Sequence, residues 1–283
     1  MLTALLLLIP FLGSGLTLFT KGKTSAVFAM LVSLAQLVVA LVMVQSFQPD
    51  GGMQFETVLP WIPQLGATFH LGIDGISLIM VLLASVATPL IVASQFGRDI
   101  PKSHRYNALI LFMQGAMTGV FLALDGLLYY LFWELALLPI IFIMLGWGEG
   151  QRQAVTLKFF IYTLAGSLFM LVGFLLLYFQ SATGSFAHSE LSQLTIDSGL
   201  QQVIFALLFV AFAIKMPMFP FHSWQPSTYT SAPTQGTMLL SGIMLKMGIY
   251  SVLRWIIPIV PEAVETHTPL IIALSITGVV YGA

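Results

Sequence analysis

Long apolar runs separated by short polar loops fill almost the whole chain, and they are too long for the half-buried elements of a water-soluble domain. Leu2 to Phe19, Ser25 to Phe47, Gly75 to Gly97, Ala108 to Leu124, Leu127 to Leu145 and Ala154 to Phe179 come first. Each approaches the roughly 20 mainly apolar residues that a bilayer-crossing helix needs. A seventh run follows Ser198, and an eighth occupies roughly Thr234 to Trp255. Pro269 to Ala283 begins a ninth and stops, short of the minimum of about 17. The pattern predicts an all-α polytopic membrane protein with about eight complete transmembrane helices and part of a ninth, truncated at its C-terminal end. Gln48 to Asp74, with Pro49, Gly51, Gly52, Pro60 and Pro63, reads as an irregular extramembrane excursion. Asp74 and Asp125 each precede glycine at a helix start and read as caps.

Composition narrows the setting. Hydrophobic residues make up 58% of the chain and charged residues 7%, against about 25% charged in a soluble domain. Lipid is therefore the main solvent. With a net charge of -1 and no basic run, nucleic acid is excluded as a partner. The absence of cysteine excludes disulfides, cysteine-ligated iron-sulfur clusters and thiolate zinc sites. Gly146-Trp-Gly-Glu-Gly150 lacks the Gly-Lys-Ser/Thr and the preceding strand of a nucleotide loop, and His104, His188 and His267 have no metal-ligand spacing. The first run has neither a basic region before it nor an Ala-x-Ala site after it, so it reads as a membrane helix and not a signal peptide.

Basic residues follow the first, third and fifth runs, at Lys21, Lys23, Arg98, Lys102, Arg105, Arg152 and Lys158, and are missing after the second, fourth and sixth. That alternation places the N-terminus outside. Arg254, near the outer end of the eighth run, breaks the rule and reads as snorkelling to the interface.

The seventh run holds the chemistry. In Ala211-Phe-Ala-Ile-Lys-Met-Pro-Met-Phe-Pro-Phe-His222 a lysine sits inside apolar sequence and two prolines follow. An ammonium at the centre of a membrane helix costs about 2.5 to 3.5 kcal/mol on insertion scales. Pro217 and Pro220 remove the donors that the carbonyls of Ala213 and Met216 would use, and inside hydrocarbon only protein or water can replace them. The stretch predicts a broken helix with Lys215 at the break, facing the protein interior.

Two further charges lie well inside apolar runs: Glu134 in Tyr130-Leu-Phe-Trp-Glu-Leu-Ala-Leu-Leu-Pro139, and Lys246 in Gly242-Ile-Met-Leu-Lys-Met-Gly248. They read either as a structural ion pair or as a proton-loading switch. One acid and two bases cannot all be neutralised pairwise. Burial disfavours an ammonium and a nearby carboxylate favours it, so moving Glu134 relative to Lys215 would load and unload a proton. Lys158, near the inner end of its run, reads as a snorkelling lysine, with a proton-relay role as the other reading. His222 can relay protons as a neutral imidazole or donate a hydrogen bond at a helix end. Gly115-Ala-Met-Thr-Gly119 and Gly278-Val-Val-Tyr-Gly282 match the small-residue pattern of close helix contacts.

His70-Leu-Gly-Ile-Asp-Gly-Ile-Ser-Leu78, Phe132-Trp-Glu-Leu-Ala-Leu-Leu-Pro139, Lys158-Phe-Phe-Ile-Tyr-Thr163, Ile214-Lys-Met-Pro-Met-Phe-Pro-Phe-His-Ser-Trp224 and Leu245-Lys-Met-Gly-Ile-Tyr250 together resemble the antiporter-like subunits of proton-pumping NADH:quinone oxidoreductase, respiratory complex I. Trp61-Ile-Pro-Gln-Leu-Gly66 narrows the resemblance to one of the paralogous subunits. The resemblance implies an antiporter-like bundle of two inverted five-helix repeats, each with a discontinuous helix. Residues 1–107 would form an N-terminal three-helix region with the extramembrane loop 48–74. Residues 108–256 would be the first repeat, a half-channel, and 257–283 a loop and the start of the ninth helix. Glu134 becomes the fifth-helix carboxylate, Lys215 the lysine of the broken helix and Lys246 the central lysine of the eighth, together the input half of a proton path.

The same resemblance implies a subunit of a translocase in the bacterial inner membrane, beside other membrane-arm subunits that include neighbouring antiporter-like ones. FMN, iron-sulfur clusters and quinone would belong to partner subunits, and this chain would carry no cofactor and no redox site. Moving a charge against a membrane potential takes about 2.3 kcal/mol per 100 mV, so those partners would supply the drive. There is one departure. Where the family commonly reads Trp-Leu-Pro-Asp-Ala-His, this chain has Trp224-Gln-Pro-Ser-Thr-Tyr229, so Ser227 and Tyr229 replace an acid and a histidine. Two alternatives use the same charges: a subunit of a multi-subunit cation/proton antiporter, and a scaffold fragment that conducts nothing.

Overall fold

A computed structural model of the chain describes residues 1–282. Its first helices are α1 (Leu2–Thr17), α2 (Lys23–Ser46), α3 (Gly75–Ala93), α4 (Ser103–Leu122), α5 (Gly126–Trp147) and α6 (Arg152–Gln180). The one-turn α7 (His188–Leu191), α8 (Ser198–Lys215), the short α9 (Gln225–Ser231), α10 (Thr234–Ile256) and α11 (Pro261–Gly282) follow. Seven helices are long and apolar enough to cross a membrane, and α1 is an apolar helix of 16 residues. The bundle is assembled around α4, which packs against α1, α2, α3 and α5. From Tyr106 to Leu122 only Leu109 and Phe112 of α4 are not buried.

Lipid as solvent explains the surfaces. On α2 the inward positions are Ser25, Ala29, Ser33, Gln36, Ala40 and, near the end, Met43, while Val27, Leu31, Val38 and Leu41 face out. Small and polar side chains pack against neighbouring helices because apolar ones gain nothing by leaving lipid. Gln36 Nε2 donates to Thr118 of α4 across 2.9 Å. The Gly115-x-x-x-Gly119 pattern has its cause in the same packing: a Cβ at Gly115 would press on Phe11 of α1, and one at Gly119 would enter the Phe132 ring of α5. The Gly278-x-x-x-Gly282 pattern has no such neighbour among the described residues.

Three expectations change. The 48–74 excursion is not irregular but an antiparallel hairpin, β1 (Gln54–Ile62) with β2 (Ala67–Ile73), in which Thr57 faces Leu71 and Leu59 faces Phe69. A two-stranded hairpin is all edge, so Pro60 deletes no interior ladder bond, and a proline count alone misreads it. The hairpin closes over one end of the bundle. His70 O accepts from Leu124 N at 2.9 Å, and Asp125 Oδ2 accepts from Thr68 N at 2.8 Å. Asp125 also caps α5 through Leu127 N and Leu128 N. Burial pushes its carboxyl above the usual carboxylate range, although these hydrogen bonds act the other way.

Second, the helix that carries the ninth apolar run begins not at Pro269 but eight residues earlier, as the continuous 22-residue α11, with Pro269 inside it. Third, Arg254 does not snorkel. It is 7% exposed, and its Nη2 donates to Asp74 Oδ1 at 2.6 Å. Asp74 caps α3 through Ser77 N as expected, and this carboxylate, 180 residues upstream, gives the guanidinium a partner that local sequence does not reveal. Burial works against the Asp74 charge, but Arg254 and Ser77 outweigh it and hold the carboxyl below its ordinary range.

The backbone at Arg254 has its own sequence logic. In a regular helix its carbonyl would accept from residue 258, which is proline and has no N–H. The helix widens to π turns over Val252–Ile256, and His188 of α7 supplies the missing donor, Nε2–H to Arg254 O at 2.8 Å.

Gly119→Val forces Phe132 out of its site and costs about 1 to 3 kcal/mol of overpacking, read as a lowered thermal midpoint of the detergent-solubilised protein. Burial, offset only in part by the Arg254 carbonyl, lowers the His188 pKa. The unfolded chain then binds this proton more readily than the folded one. Stability from His188 is complete above about pH 6.5 and is lost as the pH falls through the lowered folded value. His188→Gln flattens that part of the melting profile against pH.

Candidate functional site

The break in the seventh run is where the sequence puts it, and protein groups supply donors to the Ala213 and Ile214 carbonyls. Helix α8 ends at Lys215, and α9 resumes at Gln225. Between them Met216 N reaches back to Phe212 O and Met218 N to Ala213 O, each at 2.9 Å. Trp224 turns its indole Nε1–H onto Ile214 O at 3.0 Å. Trp224 is buried, and its ring lies 5.1 Å from that of Phe159 on α6. Its side chain is thus both a packing anchor and the cap of a broken helix.

Helix α6 holds the other side of the break. Lys158 Nζ donates to Ser223 O at 2.7 Å, and the Tyr162 hydroxyl bonds Ser223 Oγ at 2.9 Å. Lys158 is exposed but bound to protein, so the structure gives it a tethering contact and not a free snorkelling head. Helix α10 approaches from a third side. A Cβ at Gly248 would lie 3.0 Å from both Met216 Cβ and Phe212 O, so only glycine lets α10 touch the last turn of α8.

Lys215 is 2% exposed, and its ammonium has no hydrogen-bond partner among the described residues. It stands 4.8 Å from the centre of the Trp133 ring, a cation–π contact. Trp133 precedes Glu134 on α5, so indole and carboxylate come to the lysine on one helix turn. Glu134 is half-buried, and its Oε1 is likewise without a partner. The two charges do not form an ion pair among the described residues; the ion pair Arg254–Asp74 and the His70–Glu56 hydrogen bond lie elsewhere. Lys246 is half-buried beyond Gly248, in the middle of α10. The helix is π-wound at Leu240–Met244, and Lys246 Nζ donates to the Ser241 carbonyl in that loosened stretch. The structure therefore brings Glu134 and Lys215 to one interior site around Trp133 and sets Lys246 on the adjoining helix.

His222 lies in the break. Its Nδ1 is buried with no partner among the described residues, and its ring packs beside Phe219 at 5.6 Å and Tyr281 of α11 at 5.2 Å. At the replaced positions, Ser227 Oγ donates to Trp224 O at 3.1 Å, and the Tyr229 hydroxyl is buried with no partner among the described residues. Trp133, Trp224 and Gly248 are the contributors that sequence reasoning missed. A tryptophan beside an intramembrane acid, and another just past a double-proline break, were the available signals.

A family profile described as NADH:quinone oxidoreductase/Mrp antiporter, TM, matches residues 123–283, more than half of the chain. The chain belongs to this family. It is 36% identical to NADH-quinone oxidoreductase subunit M of Rhodobacter capsulatus over 95% of this chain and 54% of that protein. It is 37% identical to F(420)H(2) dehydrogenase subunit M of Methanosarcina mazei, over 99% and 58%. Its fold superposes on a chain of respiratory complex I from Thermus thermophilus with a TM-score of 0.86 at 27% identity, covering 97% of this chain and 56% of the other. The chain spans about half the length of the curated relatives it matches. The antiporter-like, multi-pass helix bundle read from the sequence is therefore the family's fold.

Trp224→Phe keeps an aromatic ring against Phe159 but removes the pyrrole half of the indole and its N–H. It leaves the buried Ile214 carbonyl unpaired, at a cost of about 1 to 3 kcal/mol. Chemical denaturation of the purified protein measures it, and an unchanged midpoint would show that the break does not depend on this cap.

Proposed function

We propose that this chain is a proton-translocating component of the membrane arm of a NADH:quinone oxidoreductase, with Glu134, Lys215 and Lys246 carrying the proton. The observation that supports it most is Lys215: an ammonium 2% exposed, without a hydrogen bond, over Trp133 and beside an equally unpaired Glu134 oxygen. A buried pair serving structure alone is stable when its geometry is good and its remaining polar groups are satisfied. Here neither holds. Shifting Glu134 toward Lys215 favours the ammonium and shifting it away favours the amine, so a small movement changes whether the lysine holds its proton.

The drive would come from partner subunits that carry FMN, iron-sulfur clusters and quinone. The relatives' printed names fit such a division, since NADH and F(420)H(2) enzymes both contain a subunit of this kind. By the alternation of basic loops the N-terminus and the hairpin lie outside the bacterial inner membrane, with Lys21, Lys23, Lys102 and Arg105 inside. The neighbours would be other membrane-arm subunits, including further antiporter-like ones. The family's description also covers Mrp antiporters, and that supports a second reading as a subunit of a cation/proton antiporter. Flavin and iron-sulfur subunits purifying with the native chain favour the first reading, and their absence the second.

Glu134→Gln removes the charge and keeps the shape. In the assembled complex reconstituted in liposomes, proton pumping per quinone reduced falls sharply while subunit content is unchanged. Normal pumping by an assembled Glu134→Gln complex would remove this residue from the path.

A further inference from the structure

A lysine that takes up a proton in mid-membrane needs more than an input. Something must keep the proton from escaping on the wrong side before it is passed on. On α10, Lys246, Tyr250 and Arg254 follow at four-residue steps, which sets them along one flank of the helix. At 1.5 Å per residue Arg254 stands about 12 Å from the lysine, toward the end that the hairpin covers.

The hydrogen bonds there lead nowhere. Arg254 Nη2 donates to Asp74 Oδ1 at 2.6 Å and to Ser77 Oγ at 3.0 Å, and Nε donates to the Tyr250 hydroxyl at 3.2 Å. Ser77 donates to Asp74 at 2.8 Å. The Tyr250 hydroxyl donates to the Phe121 carbonyl at 3.0 Å. A second polar rung crosses beside it: Tyr129 bonds Ser251, and Ser251 donates to the Met247 carbonyl. A proton relay requires each member to accept on one side and release on the other. A backbone carbonyl releases nothing, and Tyr250 and Ser251 each donate to one; Ser77, 3.4 Å from the Tyr250 hydroxyl, donates to Asp74, a carboxylate held by Arg254. A guanidinium has no acceptor and stays charged.

Aromatic packing closes the space around these rungs. Trp255 lies 5.1 Å from Tyr129 and 4.9 Å from Phe174, and Phe121 lies 5.2 Å from Tyr250. His188, on the Arg254 carbonyl, Glu190 on the same short helix, Asp125 beneath the hairpin and the His70–Glu56 contact of the hairpin are further titratable groups at this end.

We propose that the Asp74–Arg254 pair, with Tyr250 and Ser77, is a proton-tight plug between Lys246 and the hairpin side of the membrane. The plug rests on the proton-transfer reading above. It adds positioning residues that touch no reacting proton: a fixed positive charge that repels one, and hydrogen bonds that cannot pass one along.

The test uses the whole complex in liposomes without electron donor, under an imposed pH difference. Arg254→Met with Asp74→Asn removes both charges and keeps the α3 cap. Passive proton leak rises several-fold, and adding Lys246→Met abolishes the rise, because the leak runs through that lysine. An unchanged leak overturns the plug, and so does a leak that survives Lys246→Met, which would report damaged packing. If the double variant does not assemble, Arg254→Gln is read in the same assay against the same two outcomes. Pumping by Glu134→Gln is measured in parallel. Lost pumping there with no leak here refutes the plug alone, whereas retained pumping refutes the proton-path reading itself.

Discussion

An unpaired ammonium in a low-dielectric interior is the constraint that the fold answers to. Lys215 cannot reach lipid or bulk water, and the nearest compensation is the face of an indole 4.8 Å away. Such a contact is worth about 2 kcal/mol when desolvated, well short of the several kcal/mol that burying an ion costs. The remainder falls on the surrounding structure. Trp224 caps the broken end, Lys158 and Tyr162 hold Ser223, and Gly248 brings α10 against Met216. Three elements beyond α8 thus hold one costly buried charge in place.

The break is as much a device as the charge. A continuous helix would satisfy every backbone group internally and leave no reason for side chains to converge. With Pro217 and Pro220 in place, the freed carbonyls recruit Met218 N and the Trp224 indole, and each recruit pins one wall of the site. The π turns of α10 do similar work for Lys246, whose ammonium settles on Ser241 O. Loosened backbone near both lysines supplies polar partners in a region where lipid supplies none.

Much of this was legible in the chain because membranes simplify the code. Apolar run length gives the helices, and a charge inside a run stands out as it never would in a soluble core. Glu134, Lys215 and Lys246 were found that way, as was the break at Lys215. What was hidden depended on partners far apart in sequence. Nothing local to Arg254 announces Asp74, so the residue reads as snorkelling until the fold pairs them. The hairpin was lost for another reason: prolines that would break a central strand are harmless where both strands are edges. The start of α11 was missed because Glu262, Glu265 and His267 interrupt the apolar pattern without interrupting the helix.

The buried charges fall into two kinds, and the difference is chemical as well as geometric. Arg254 is paired at 2.6 Å with Asp74 and donates also to Ser77 and Tyr250, and arginine does not give up its proton in proteins. Lys215 and Glu134 have unpaired polar atoms, and lysine changes state readily when its surroundings change. A fixed ion pair at one end and a movable, unsatisfied pair in the middle are opposite solutions to the same desolvation cost. The first lowers the energy of one arrangement and so resists change. On the proton-transfer proposal, the second would keep two arrangements close in energy, which is the condition for a switch that a distant event can bias.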